Sequence, residues 1–581
     1  IIKTFYSKAG MLISVEVNGV VVAQNEYDKD DNLVSSSDAL GRTIGYEYNE
    51  HKLPVKIINP DGTSLSLSYD DRGNIDEIID ELGNTNKYSY DDLNRVTSTV
   101  DANGNLEKFA YNARNDLTES INPLGYTRTF EYNESGKLTH VVDYDGNEEF
   151  TEYNELNKVS AYVDKDGSRT EYYYNEMWQI DQIKDPTGVN ILCLYDAEGN
   201  LTNVVDASYS TIRCSYDSCG NIIKVRDQEG YVTKYTYDKM NRMTSAVMAD
   251  GSTECYEYDA FGNETKFTDA LGGEWINEYD AAGQKIKSIN PMGVDTVYTY
   301  DLRGNLIEER SAGMTIRYSY DAAGRLTEII DVAGAVTSFS YDNNGNLLSR
   351  KIGDVEKSFE YDAMNRIAKE FIAGALTASY TYDAVGNISA VTDGLGNQTR
   401  YIRTKGGDIA AVIDPLGNVT RYRYDKAHRL MNIVQGAGTE AEDINFELLE
   451  DAEEVLKLNK KHNSIRITSY ARDILGRVTA VTDALGNVES YEYDRKGHIK
   501  AKTDMDGNRT KITRTHLGDI SRITYGDGED IEYSYNALGQ LKAIKDSLGL
   551  TKIDRDILGR ERSITDHKGR SISYEYDDAG N

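Results

Sequence analysis

Several residue types in this sequence have spacings that chemistry uses. Tyrosine and aspartate recur as Y-x-Y-D, and arginines stand in some of the tyrosine positions. Seven histidines are present (His51, His140, His428, His462, His498, His516, His567), but no H-E-x-x-H pair or other metal spacing links them. "DYDGN" (Asp143 to Asn147) and "DMDGN" (Asp504 to Asn508) begin like calcium loops. Both lack the later ligands and the bidentate Glu of a full loop, so a turn variant is the simpler reading. No G-x-S-x-G elbow, P-loop or dinucleotide fingerprint occurs. A carboxylate repeated in every unit singles out no acid–base pair. The sequence therefore reads as non-enzymatic, with no catalytic residue, metal or cofactor expected.

The elements that carry these residues come from one repeat. Tyr occupies position 6 and every twenty-first residue up to Tyr300, fifteen times without a slip. With occasional 20-residue steps the register runs to Tyr576, giving 27 slots. The unit reads Y-x-Y-D-x-x-G-N/R-L, a few strand residues, then D-x-x-G-N. Representative copies are Tyr90–Asp91, Tyr237–Asp238, Tyr300–Asp301 with Gly304, and Tyr320–Asp321 with Gly324. Gly or Asn follows the slot Asp by three residues, as at Gly73, Asn94, Asn115 and Gly136. Both tolerate the positive φ of a tight turn. A second glycine follows about ten residues on, as at Gly41, Gly62 and Gly83. Each unit thus has a first turn after Y-x-Y-D, a strand of about six residues, and a second turn.

The strands alternate. In "GYVTKYTYD", Thr233, Tyr235 and Tyr237 share one face and Lys234 and Thr236 take the other. The opening Asp of a turn accepts backbone N–H bonds from the residues after it. The expected fold is all-β: a long antiparallel hairpin meander. Roughly fifty strands at about 4.8 Å make a ribbon about 240 Å long, which must coil rather than stay flat. A parallel β-helix with one coil per unit is the rival architecture, and two turns per unit argue against it.

Composition supports a thin all-β surface. There are 44 tyrosines against 10 phenylalanines and 2 tryptophans, with 39% hydrophobic residues, too few for large deep cores. The net charge of −33 is the wrong sign for nucleic acid or anionic membrane. No apolar run of about 18 residues offers a membrane span. Cys193 and Cys214 occupy the same slot of adjacent units, two strands or about 9.6 Å apart, beyond disulfide reach. Free thiols are expected.

The phrase Y-x-Y-D-x-x-G-N/R-L with its second D-x-x-G-N turn resembles the YD repeat of Rhs proteins, shared by the B and C subunits of insecticidal toxin complexes and by teneurins. The resemblance covers essentially the whole chain. It implies a β-sheet spiralling into a hollow shell, which in bacterial members encloses a C-terminal toxin until delivery. It further implies a secreted or cell-surface protein whose partner is that toxin or effector cargo. Here the sequence ends at "YEYDDAGN", inside a repeat, and shows no cargo, plug or self-cleaving segment. The alternative is an adhesion or carbohydrate-binding scaffold that grips glycans or a receptor through its tyrosine rows; the resemblance to teneurins, which carry a similar barrel on a cell surface, implies adhesion.

Two breaks interrupt the repeat. Residues 1–438 and 464–581 read as shell, and 439–463 as an amphipathic helical insertion with Ile444, Leu448, Ala452 and Val455 at helical spacing. Glu440, Glu442 and Asp443 open it and Lys457, Lys460 and Lys461 close it, which suits the helix dipole. Its apolar stripe either packs on the shell or serves a partner or lid. From Tyr382 onward the Tyr slot alternates with Arg403, Arg472, Arg514 and Arg555. Duplication of a repeat pair accounts for the pattern. These arginines could stack on tyrosine rings or bind acidic or sugar ligands. Exchanging Arg472 and Arg514 for Tyr tests the second role: binding to an acidic glycan array should fall, and unchanged binding would end that reading.

Overall fold

The computed structural model describes residues 2–436, 449, 452–461, 464–577 and 580. Among them, 53 strands form one sheet, and each strand pairs antiparallel with its neighbours in the chain, from Ile2–Tyr6 with Leu12–Val17 to Glu561–Thr565 with Ser571–Ser573. The meander is thus observed, and the parallel β-helix is not. Strands of five or six residues predominate, as in Val232–Tyr237 and Met243–Val247. Each first turn is entered through a register shift at the slot residue, for instance between Thr236 and Tyr237. That bulge is where the extra residue of the D-x-x-G corner is absorbed.

Turn chemistry sets the spacing. Gly73, Asn94, Asn115 and Gly136 all have positive φ, as do the second-turn glycines Gly41, Gly62 and Gly83. The 20-residue steps have a local cause. Tyr300 to Tyr320 spans a two-residue hairpin at Ala312–Gly313 with both residues at positive φ and no register shift. Tyr341 to Tyr361 is shortened in the same way at residues 353–354. The 21-residue units with the same hairpin at Asn18–Gly19 and Ala373–Gly374 regain the residue through a bulge.

The wall is one sheet thick. The chain exposes 32798 Å² of surface, whereas a compact monomer of its 65.0 kDa would expose about 20,500 Å². Such an excess means water reaches both sheet faces. On the tyrosine face Thr233, Tyr235 and Tyr237 are half-buried, and Lys234 and Thr236 opposite them are exposed. Small residues on that opposite face are covered by long charged neighbours: Ala161, fully buried, pairs with Glu152 and Glu171. The four cysteines are free thiols, and strand Leu201–Val205 separates Cys193 from Cys214.

The largest apolar cluster lies where the repeat breaks. Strands Leu430–Gly436 and Ile465–Arg472 pair directly, so the sheet continues across the insertion. Helix Ala452–Lys461 packs on it: Leu449 and Val455 are buried against Val419, Val434, Ile465 and Ile467, on the face away from the tyrosines. Asn459 accepts from the Ile467 N–H at 2.8 Å and donates to its carbonyl at 3.3 Å. Of the two uses left open for the apolar stripe, packing on the shell is observed for Val455; Ile444 and Leu448 lie outside the described residues, as do residues 439–448. Val455→Ala should cost about 2 kcal/mol through the cavity it leaves. Loss of hydrogen-exchange protection confined to Ile465–Arg472 would register it.

Candidate functional site: the seam between coils

The first turn is built around one carboxylate. Asp91 Oδ1 accepts the N–H groups of Leu93 (2.9 Å) and Arg95 (3.1 Å), and Oδ2 accepts Arg95 Nε (2.7 Å). Asp301 uses Oδ1 for Arg303 and Asn305 N–H, and Oδ2 for Asn305 Nδ2 at 2.9 Å. That explains why the motif allows Asn or Arg after the glycine: both reach back to the same oxygen. The Arg95 hydrogen bond holds the Asp91 carboxyl below its ordinary range. Asp143 and Asp504 use the same N–H pattern, and Asp143 Oδ2 also meets Lys165 Nζ at 2.7 Å. The turn reading of those two segments is thus the one the geometry fills.

The slot tyrosine has a structural partner that sequence reading missed. Its hydroxyl donates to the carbonyl that opens the preceding strand: Tyr90 to Ile75, Tyr237 to Ile222, Tyr300 to Lys285 and Tyr320 to Leu306, at 2.7–2.9 Å. Burial pushes these hydroxyls above their ordinary pKa. Two of the slot arginines work at the same place. Arg472 Nη2 donates to Leu430 O (2.6 Å) and Arg555 Nε to Leu541 O (3.2 Å). Arg403, Arg472, Arg514 and Arg555 each donate Nη1 to the turn glycine carbonyl, at 2.8–2.9 Å. Stacking on slot tyrosines is found for the turn arginines instead: Arg95 over Tyr111, Arg242 over Tyr258 and Arg366 over Tyr382, at 4.2–4.9 Å.

These corners meet again at long range. Asn18, between the second and third strands, donates to Ala260 O between the twenty-fifth and twenty-sixth. Asn344 donates to Asp101 at 2.6 Å, Ala384 N–H to Asp145 at 3.2 Å and Thr404 to Asp166 at 2.9 Å, with sequence separations of 238 to 243 residues. Beyond the insertion, Lys496 meets Asp227 at 2.8 Å and Arg495 N–H meets Glu229 across 266 residues. The residue separation grows by the length of the insertion, yet the loops stay 23 strands apart. The ribbon is therefore wound into stacked coils, first turns of a later coil resting on second turns of an earlier one. Twenty-three strands make about 110 Å of circumference, or about 35 Å across.

His428 is the most charged point on this seam. It occupies the Gly/Asn position of its turn (φ 59), on the side facing the earlier coil. Its Nδ1 lies 2.5 Å from Asp408 Oδ2 and 3.9 Å from Asp166, and its Nε2 lies 2.7 Å from Asp164 Oδ2. Asp166, Asp408 and His428 are close enough to share a cation. With a carboxylate on each ring nitrogen, however, an imidazolium carrying both protons is the species that fits. The Asp164 and then the Asp408 hydrogen bonds raise its pKa to about 9. The same approach favours glycine at 406, since a Cβ there would crowd Asp166 Oδ2 and the His428 ring. A histidine in a position usually held by Gly or Asn was the available sequence signal.

The model of the teneurin YD-shell family matches residues 2–156, 173–294, 205–339 and 316–442, and an RHS repeat model matches 473–510. The chain belongs to the teneurin YD-shell family. A mutant form of the Photorhabdus luminescens Tc holotoxin pore shares the fold of this YD shell, with a TM-score of 0.68 at 11% identity over 99% of the chain. The YD-shell chain spans 40% of that solved chain. The structure of TcdB2-TccC3 without its hypervariable C-terminal region is also similar, at 13% identity and a TM-score of 0.46, covering 100% of this chain and 34% of that one. No curated protein sequence matches.

The His428 bridge gives the YD shell a pH dependence of definite sign. A raised folded pKa contributes stability in full below the ordinary 6.5 and loses it as pH rises through about 9. His428→Asn keeps a residue suited to positive φ and removes the cation. It should cost about 1 kcal/mol below pH 6.5, after allowance for partial exposure, and nothing above about 9. Parallel thermal melts across that range test it; a pH-independent difference would refute the bridge.

Proposed function

We propose that this chain is the non-enzymatic wall of a containment shell, enclosing a toxin or effector segment carried by its parent protein. The observation that carries the reading is closure of a one-sheet ribbon every 23 strands, with both faces wetted. A ribbon so wound bounds a space, and containment is what a thin closed wall does physically. Membership of the YD-shell family and the shared fold with a holotoxin pore support it. Secretion with a toxin assembly accompanies this role; no helix among the described residues is long and apolar enough to cross a membrane.

The arginine slots fit the same reading. Arg472 and Arg555 act as caps, since they satisfy the carbonyls that tyrosine satisfies elsewhere. Glycan gripping through the tyrosine rows has no such support, because the slot hydroxyls already serve the backbone.

Limited proteolysis of the parent protein tests containment. The enclosed segment should resist cleavage while the shell stays intact and be cut at once when produced alone. Equal cleavage rates in the two settings would overturn the proposal.

A further inference from the structure

One stretch of the wall carries cations with nothing to answer them. The six strands from Asn190–Tyr195 to Met243–Val247 contain no Asp or Glu, in a chain with 97 acidic residues. On the face away from the tyrosines Arg213 stands directly opposite Arg226, and Lys224 directly opposite Lys234. Lys224 and Arg226 are two residues apart on one strand and so share that face. Like charges directly opposite each other destabilise a sheet. A like-charged pair on the tyrosine face, Arg350 opposite Lys357, is relieved because Lys357 reaches Glu370 at 2.9 Å. Here no such relief exists: all four side chains are exposed, and none has an ion pair or side-chain hydrogen bond among the described residues.

A second acid-free run of six strands, from Gln398–Arg403 to Val478–Thr482, carries helix Ala452–Lys461. No described segment lies over the first run, and a cavity opens there instead. It measures about 430 Å³, within the range of small-ligand sites. It sits on the seam, between the second turns at Asp206–Tyr209 and Asp227–Gly230 and the first turn that holds Arg495. Arg213, Arg226 and Arg495 line it from two coils. Its two carboxylates are engaged: Asp227 meets Lys496 at 2.8 Å, and Glu229 accepts the Arg495 N–H at 2.7 Å. Tyr209 also lines it, 85% exposed and at φ 63, in a position that glycine holds in the flanking second turns at Gly188 and Gly230. Left-handed backbone is costly for a large side chain, and no packing offsets the cost here.

We propose that this cavity binds a compact, multiply charged phosphate anion, such as a pyrophosphate or triphosphate group. Guanidinium forks match tetrahedral oxyanions, and three of them line one cavity with the hydroxyls of Tyr209 and Ser210 beside them. Lys224 and Lys234 add positive field next along the sheet. The net charge of −33 does not oppose contact, because fields are screened within about 8 Å at physiological salt. A cavity of this size between turns suits a small anion rather than a long acidic segment. The site stands whatever the wall encloses.

Titration calorimetry of this chain with sodium tripolyphosphate should show one site per chain, and saturation should raise the melting temperature. Arg213→Gln with Arg226→Gln should weaken binding at least about tenfold, and Arg495→Gln, on the other coil, about threefold or more. The three arginines are exposed. Without ligand the double variant should melt no lower than the unmodified chain, because a like-charge contact is gone. Hexaglutamate and a heparin hexasaccharide serve as comparison probes and should bind more weakly than tripolyphosphate. Any of four results would overturn the inference: no binding of tripolyphosphate, binding untouched by the arginine changes, a ligand-free double variant that melts lower, or tighter binding of either comparison probe.

Discussion

One carboxylate oxygen accepting two backbone N–H groups is the contact on which the whole molecule rests. Asp91 and Asp301 show it: Oδ1 fixes the corner, and Oδ2 holds the Asn or Arg that closes it. Without that corner the next strand would not return in register, and the bulge at the slot tyrosine would have no fixed position. The tyrosine hydroxyl then caps the carbonyl left beyond the ladder. An arginine does the same for Leu430. Strength here is local and repeated, as in stacked-repeat proteins, rather than gathered in a core.

A wall of this kind has little interior to bury. Ala161 disappears beneath glutamates, and half-buried tyrosines fill the other face. The exception is the cluster under helix Ala452–Lys461, where Val434 and Ile467 are fully covered. The helix also satisfies the backbone of Ile467 where the neighbouring strand does not reach. Its apolar stripe is thus used within the chain, at least at Val455 and Leu449.

The seam is where local chemistry becomes global shape. Corners that are alike in sequence meet every 23 strands, and the hydrogen bonds between them hold the coils together. His428 shows how a single substitution in a turn position turns a spacer into a cation that joins three acidic groups from two coils. Exposed pairs of this type contribute modestly one at a time, so the coil stack depends on their number.

The sequence by itself determined the repeat, the antiparallel meander, the corner chemistry, the free thiols and the site of the insertion. Each follows from interactions within about twenty residues, which periodicity and turn residues record directly. Tertiary structure decided where the coil closes and which turns meet. Those depend on twist accumulated over 23 strands, and no short stretch encodes that sum. The same distance hid His428 and Gly406: their partner Asp166 lies more than 200 residues away in the chain. It also hid the tyrosine's role, because a hydroxyl reaching across to the opening carbonyl of the preceding strand leaves no mark beyond the tyrosine itself.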